Sequence, residues 1–571
     1  MAAPNDFVSE VHTVEKFDVK TNTIDSQKGS DVEIGESDLI TAGSAHLQRK
    51  LGGKQVQLFA IGASIGTVVF VSMGSQLPIS GPAGLFLAFA IWSMVAYGVN
   101  ECFAEMVCYA PVPAPFIRFS GEWVDDALGF TQSWVFFFNQ VLLIPFEMTA
   151  FHRLIGFWTD KLPVEATVFI LIFLYCLTNC VSVGWYGQAE FYLSIGKVIL
   201  IFLCFGFTIV TMLGGNPLHD RYGFRYWDNP GAFAEYLTGG STGRFLGFLS
   251  SLTFATFTVA GPEFIAMVAA ETKSPRRILP AAYKSFPFRL LFFFCGSALA
   301  VGICIPYNDP TLNAILNGEA GGSGTSAASP YVIAMQRLQI SGLPHFFNAV
   351  IMTSVFSAGN GYVFTSSRTL YSMALEGRAP KIFTKTLRSG VPIYSVLACI
   401  AFCLLALLNV SDNSAKVMNY FVDLVTTNQL LNYMTTCITY VHFYYAMKRQ
   451  GRSRDSLPYK GIFQPYTAYI CIFMTFLMTL LLGFYIFFPG QWDLKFFFLD
   501  YTFLVLYPIA FFGWKWAKKT KYHRLGTADL SLGGDVKEID DYEELTEVKP
   551  LTGISGWMER IFGGVYDKKN N

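Results

Sequence analysis

The sequence predicts an all-α integral membrane protein with twelve transmembrane helices. Three observations predict it. Of 571 residues, 52% are apolar, 16% aromatic and only 14% charged, whereas a soluble domain carries about 25% charged residues. Uncharged runs long enough to cross a bilayer recur down the chain. These runs are continuous rather than alternating, which excludes an outer-membrane barrel. Basic and acidic residues balance at 41 each, so no nucleic acid is expected as a partner, because that surface needs a basic excess. Eleven Cys lie in or beside apolar segments without a CxxC pair. They read as packing residues, with no disulfide framework, metal site or cofactor implied.

The spans follow in order. Residues 55–100 form a 46-residue run without Asp, Glu, Lys, Arg or His. A span needs about 20 residues, so this run makes two, broken at Pro78-Ile79-Ser80-Gly81-Pro82. Residues 127–146 and 166–189 are the third and fourth spans, and 198–218, entered through Lys197, the fifth. Residues 245–262 and 290–308 are the sixth and seventh. Residues 346–367, 389–411 and 424–441 come next. Residues 461–491 are the eleventh, and 501–514, extended back to about Phe496, the twelfth. Residues 1–50 are polar, with nine acidic side chains and no apolar stretch; they read as a disordered tail without a cleavable signal. The polar segment from Tyr522 carries an acidic run at 538–544 and reads as a second tail.

Basic residues set the orientation. Loops after spans 6, 8, 10 and 12 hold 19 Lys and Arg; loops after odd-numbered spans hold 8. Both tails are therefore expected in the cytoplasm. The sequon Asn409-Val410-Ser411 falls on the outer side, too close to span 9 to favour glycosylation.

Two spans look broken in the middle. Span 1 reads Ala60-Ile61-Gly62-Ala63-Ser64-Ile65-Gly66-Thr67, and span 6 reads Phe257-Thr258-Val259-Ala260-Gly261-Pro262-Glu263. In hydrocarbon a break is tolerated only where it lines a cavity. Interruptions at matching places in two halves, spans 1–5 and 6–10, point to a transporter binding site. A half-helix N-terminus suits a carboxylate, and unwound carbonyls suit an ammonium. An amino acid carries both groups. The plainer reading of Gly62 and Gly66 is a small-residue packing face. A third reading, the G-x-S-x-G elbow of a hydrolase, needs a preceding strand and downstream Asp and His partners, which this uncharged run does not supply.

Ionisable residues inside spans are costly and mark function by default. Glu147 lies in span 3, Lys197 early in span 5 and Glu263 two residues past the span 6 break. A buried structural pair is the other reading for each. Asp423, early in span 10, divides between a cap and a functional role. Glu101 and Glu105, one turn apart in span 2, read as an interfacial solvated face.

At these residues the sequence resembles the fungal amino acid permeases, the yeast branch of the amino acid–polyamine–organocation superfamily. Four motifs carry the resemblance: Ile61 through Thr67; Phe257 through Glu263 with Ala269 through Pro280; Ser357-Ala358-Gly359-Asn360 with Ser366 through Tyr371 and Glu376 through Pro380; and Arg449 through Tyr459. It covers about residues 51–521. It implies a five-plus-five inverted repeat, about 55–218 and 245–446, with two extra helices at about 461–516. It also implies proton-driven amino acid import at the plasma membrane by alternating access. The substrate carboxylate site would map onto Ala63, Ser64, Ile65, Gly66 and Thr67. The amine and gate segment would map onto Phe257, Thr258, Val259, Ala260 and Gly261. Lys197, Glu147 and Glu263 would serve proton coupling, with Lys197 standing where sodium-coupled relatives bind their ion. Val68 and Pro262 depart from the family pattern. In the family, lysines such as Lys16, Lys20 and Lys28 take ubiquitin; a merely solubilising tail is the alternative.

Two other functions compete. One is an amino acid sensor that does not transport; such sensors tend to carry a longer N-terminal extension than 50 residues. The other is a permease for choline or a polyamine, whose substrate would have no use for the span 1 N–H groups.

Overall fold

The computed structural model describes residues 49, 51–159, 161–181, 183–317, 329–387, 389–410 and 414–545. The N-terminal tail, with Lys16, Lys20 and Lys28, lies outside the described residues. Among those described there is no strand, only an isolated parallel bridge between Leu51 and Thr272.

Helix α1 (Gly53–Ser64), α2 (Thr67–Phe70) and a tight turn (Ser72–Gln76) lead into α3 (Leu77–Tyr109). Then come α4 (Pro115–Trp123), α5 (Asp126–Ile155), α6 (Val164–Cys180), α7 (Val183–Met212) and the short α8 (Arg225–Asp228). Next are α9 (Gly240–Thr258), α10 (Pro262–Met267), α11 (Pro275–Lys284), α12 (Phe286–Arg289) and α13 (Gly296–Cys304). The short α14 (Pro310–Asn317) and α15 (Pro330–Arg337) precede α16 (Leu343–Leu375) and α17 (Ile393–Ala401). The chain closes with α18 (Ser414–Arg449), α19 (Tyr466–Leu481), α20 (Leu494–Lys518) and α21 (Asp535–Leu545).

Seven helical segments among the described residues are apolar and long enough to cross a membrane: Ser72–Tyr109, Asp126–Ile155, Tyr186–Met212, Gly240–Glu271, Pro275–Cys304, Ile393–Val410 and Leu494–Lys518. Val164–Cys180 and Tyr466–Leu481 are apolar but shorter. Helices α16 and α18 are longer, at 33 and 36 residues, yet more polar. The reason is their place in the packing. Both lie against α5, and Ser357, Asn360, Thr365, Asn428 and Asn432 are buried between helices. Their polar groups find partners there, as where Gln132 Nε2 donates to Asn432 Oδ1 at 3.0 Å. Helix α20 shows the opposite pattern. It leaves Val505, Ile509 and Phe512 57–64% exposed, an apolar face whose natural solvent is lipid.

One sequence expectation is met here and two are corrected. The break expected at residues 78–82 is present at Gly81, whose non-helical backbone, at φ +72°, divides α3 in two. Helix α3 starts at Leu77 with Pro78 in its first turn, where proline is tolerated. A tight turn at Ser72–Gln76 precedes this helix as well. The boundary between spans 4 and 5 moves, because α6 ends at Cys180 and α7 begins at Val183. Lys197 therefore sits midway along α7, not early in its span. Finally, Glu101 and Glu105 are buried at 1% and 0% exposure, not a solvated face.

Those two carboxylates anchor a network. Glu105 accepts from Arg454 Nε at 2.6 Å, Arg454 Nη2 at 2.9 Å, Tyr440 at 2.8 Å and the Gly461 N–H at 3.1 Å. Glu101 accepts from Tyr459 at 2.7 Å and the Ile462 N–H at 3.0 Å. Removing one partner of a buried pair costs ~3–5 kcal/mol, because the remaining charge is stranded. Arg454→Met is therefore expected to lower the melting temperature of the detergent-solubilised protein sharply; an unchanged melting curve would show the pair to be dispensable.

Residues 522–545, read by composition as tail, pack against the end of the bundle that bears the basic loops. The His523 N–H donates to Val124 O at 2.8 Å, Trp123 Nε1 to Asp529 O at 3.0 Å and Tyr109 to Leu530 O at 3.0 Å. In α21, Asp535 pairs with Arg118 and Asp540 with Arg276. The Asn409 amide of the sequon is buried and donates to Thr149 Oγ1 and Ala406 O, both at 2.8 Å.

Candidate functional site

Helix α1 stops at Ser64 and α2 starts at Thr67, leaving Ile65 and Gly66 extended between them. Helix α9 stops at Thr258, and α10 starts at Pro262 after Val259, Ala260 and Gly261. Gly261 has φ +155°, and a Cβ there would lie 2.6 Å from the Phe286 ring, so both its backbone and its surroundings require glycine. Pro262 takes the first position of α10, where its missing N–H costs nothing.

The two breaks border one narrow cavity of about 30 Å³, room for roughly one water. Gly66, Phe257, Thr258 and Ala260 line it, with Glu147 from α5 and Glu263 from α10. Val68 lines it too, so the departure at that position alters the cavity wall. Asn139, Gln140, Tyr362 and Gln429 complete much of the remaining wall. Ile65, Thr67 and Val259 are buried beside it. Ala63 and Ser64 lie in the last turn of α1.

Glu147 holds the first break. Its carboxylate accepts from the Thr67 hydroxyl and from the Thr67 backbone N–H. It thus caps α2, taking N–H capacity that the sequence reading reserved for a substrate carboxylate. Glu263 holds the second break. Oε1 accepts from Gln429 Nε2 at 2.9 Å, and Oε2 from Tyr433 at 3.0 Å and from the Gly261 N–H at 3.2 Å.

Lys197 stands apart from the cavity lining. Its Nζ donates to the Gly62 carbonyl, in the last turn of α1. Carbonyls there lack helical partners, and a cation suits that helix end. Gly62 makes this approach possible: a Cβ would lie 2.0 Å from Ser194 Oγ of α7. The packing reading of Gly62 and the binding-site reading of the break are thus compatible.

One charged residue escaped the sequence reading. Glu190, two turns before Lys197 in α7, is 3% exposed, and its Oε1 lies 4.0 Å from Lys197 Nζ. Its spacing from Ser194 and Lys197, four and seven residues, was the available signal. Asp423 lies inside α18, within electrostatic reach of Asp500 in α20, and away from the cavity lining.

If Glu147 works as a titrating cap, Glu147→Gln keeps its volume and loses its charge. Uptake is expected to fall roughly tenfold or more, the scale of a charge-assisted hydrogen bond, at unchanged surface abundance. Surface biotinylation beside radiolabelled uptake checks this. Full uptake at full abundance would remove Glu147 from the mechanism.

Comparisons with known proteins identify the family. The sequence is 42% identical over 503 residues to the general amino acid permease AGP2 of Saccharomyces cerevisiae, covering 87% of this chain and 84% of that one. It is 35% identical over 551 residues to the dicarboxylic amino acid permease of the same yeast, covering 95% and 89%. The manganese transporter of Eremococcus coleocola shares the fold, with a TM-score of 0.52 at 11% identity over 90% of this chain and 98% of that one. The sequence profile of the amino acid permeases matches residues 55–525. This chain is therefore a multi-pass membrane transporter, not an enzyme, and belongs to the amino acid permease family.

Proposed function

We propose that the protein imports amino acids across the plasma membrane, coupled to protons, by alternating access. One observation carries the reading: two interrupted helices meet at one narrow cavity that also holds two buried carboxylates. The names of the relatives, general and dicarboxylic amino acid permeases, supply the substrate class. The two breaks open two similar runs of helices, which supports twelve spans in a five-plus-five repeat with two extra helices.

Coupling follows from competition at the first break. Glu147 in its ionised form occupies α2's end. A proton on Glu147 weakens that grip and frees the Thr67 N–H for the substrate carboxylate. The ammonium then faces the open carbonyls between Thr258 and Gly261. Lys197 holds the end of α1 while charged and releases it when neutral, letting that half-helix move. Glu263 keeps the second break in register through α18. Because the cavity is small, it must widen to admit substrate.

A second reading rests on a specific observation. With Glu147 already on Thr67 at the start of α2, the cavity presents two carboxylates, which suits a cation without a carboxylate, such as choline or a polyamine. Expression in permease-deficient cells separates the two. Uptake of one or more of the twenty amino acids, abolished by a proton uncoupler, is the expected result. Uptake of choline or spermidine alone would favour the second reading.

A further inference from the structure

Helix α7 places Glu190, Ser194 and Lys197 on one face, against α1 and α16. Oε1 of Glu190 is well satisfied: it accepts from Ser357 at 2.8 Å and Ser194 at 3.3 Å. Oε2 is buried with no hydrogen-bond partner among the described residues. An orphaned buried carboxylate oxygen is costly and calls for an explanation. One lies beside it. A second cavity, of about 20 Å³, is lined by Leu51, Gln55, Tyr186, Glu190, Glu271 and Phe364 among others. Leu51 precedes α1 and bridges Thr272, so this cavity lies toward the basic end of the bundle. Glu190 thus stands between Lys197 and a pocket with room for about one water.

We propose that Glu190 positions the Lys197 ammonium at the end of α1 and relays its proton toward the cytoplasm through the second cavity. The proposal rests on the proton-coupled reading above and adds the exit route. In the step, an N–H bond of the ammonium breaks and an O–H bond forms on a Glu190 oxygen, leaving a neutral amine and a neutral carboxylic acid. Water from the cytoplasm then takes the proton and restores the carboxylate. The separation of 4.0 Å is an ion-pair distance, longer than a hydrogen bond, so transfer follows a closing movement of the pair. The charged and titratable groups around Glu190 are Lys197 and Tyr186 on α7, Glu271 after α10, and Arg368 on α16, with Glu147 behind Lys197. Arg368 and Glu271 pair with each other at 3.5 Å. Lys197 therefore has Glu190 as its nearer carboxylate and Glu147 as its farther one.

The test uses the full-length protein in proteoliposomes, with the labelled amino acid that the wild type takes up best. Glu190→Gln preserves size and the two Ser contacts while removing charge and proton acceptor. Exchange of labelled for unlabelled substrate needs no net proton release and is expected within about twofold of wild type, while accumulation driven by a pH gradient falls at least about tenfold. The pH dependence of uptake is expected to flatten. Accumulation and pH profile both at wild-type values would overturn the proposal and leave Glu190 a packing residue. If the Gln variant does not reconstitute, Glu190→Asp decides: it is expected to accumulate substrate more slowly with the pH dependence kept, and exchange without accumulation would overturn the relay. The wild type distinguishes the two levels. Accumulation indifferent to an uncoupler would overturn proton coupling itself; uncoupler-sensitive accumulation with an unaltered Gln variant would overturn only the role of Glu190.

Discussion

Lys197→Met is expected to abolish accumulation of substrate against its gradient while sparing part of the binding. Met approximates the Lys stem in volume and lacks the charge. The Gly62 carbonyl then loses its donor, and α1 loses the cation at its end. Glu190 also loses its partner, and a stranded buried carboxylate costs ~3–5 kcal/mol, so surface abundance must be measured alongside. One charge moved through ~100 mV is worth ~2.3 kcal/mol, which is about 50-fold accumulation. In the variant that ratio should collapse to about one, with labelled substrate still displaceable at the site. Normal pH-dependent accumulation at normal abundance would refute the coupling role of this lysine.

Gly66→Leu is expected to destroy substrate binding at unchanged expression. The first added atom already has no room: a Cβ at Gly66 would sit 2.9 Å from Glu147 Oε1 and 3.1 Å from Ala358 Cβ. Leu adds three further carbons into a cavity of about 30 Å³. Overpacking of this kind costs ~1–3 kcal/mol, so affinity should fall by up to about a hundredfold. The loss should also disturb the Glu147 cap on Thr67. Unaltered affinity, measured by isothermal titration or by competition, would count against the cavity as the binding site.

Both breaks were legible because their cause is local. Gly66, Gly261 and Pro262 interrupt a helix through their own backbone chemistry, and no distant partner is needed to see it. The break within residues 78–82 was legible for the same reason, because Gly81 takes a φ of +72° that divides α3. Glu190 was hidden by a rule that ended spans at charges. Glu190 and Lys197 lie within one helix and offset each other, so the helix runs through both, and the boundary between spans 4 and 5 was misplaced. Glu101 and Glu105 were misread because their partners, Arg454, Tyr440 and Tyr459, lie more than 300 residues away in sequence. The Glu147 cap on Thr67 is likewise non-local, bridging 80 residues. In each case the residue type was visible, and only the fold supplied its partner.

The central claim is that the two facing breaks hold a zwitterion, with its carboxylate at Gly66 and Thr67 and its ammonium between Thr258 and Gly261. Inhibition of labelled amino acid uptake by the same amino acid, its carboxyl amide and its N-acetyl derivative tests this most directly. The account predicts full inhibition by the parent compound and little by either derivative. Equal inhibition by the carboxyl amide would contradict it, since a site that ignores the carboxylate cannot be gripping one.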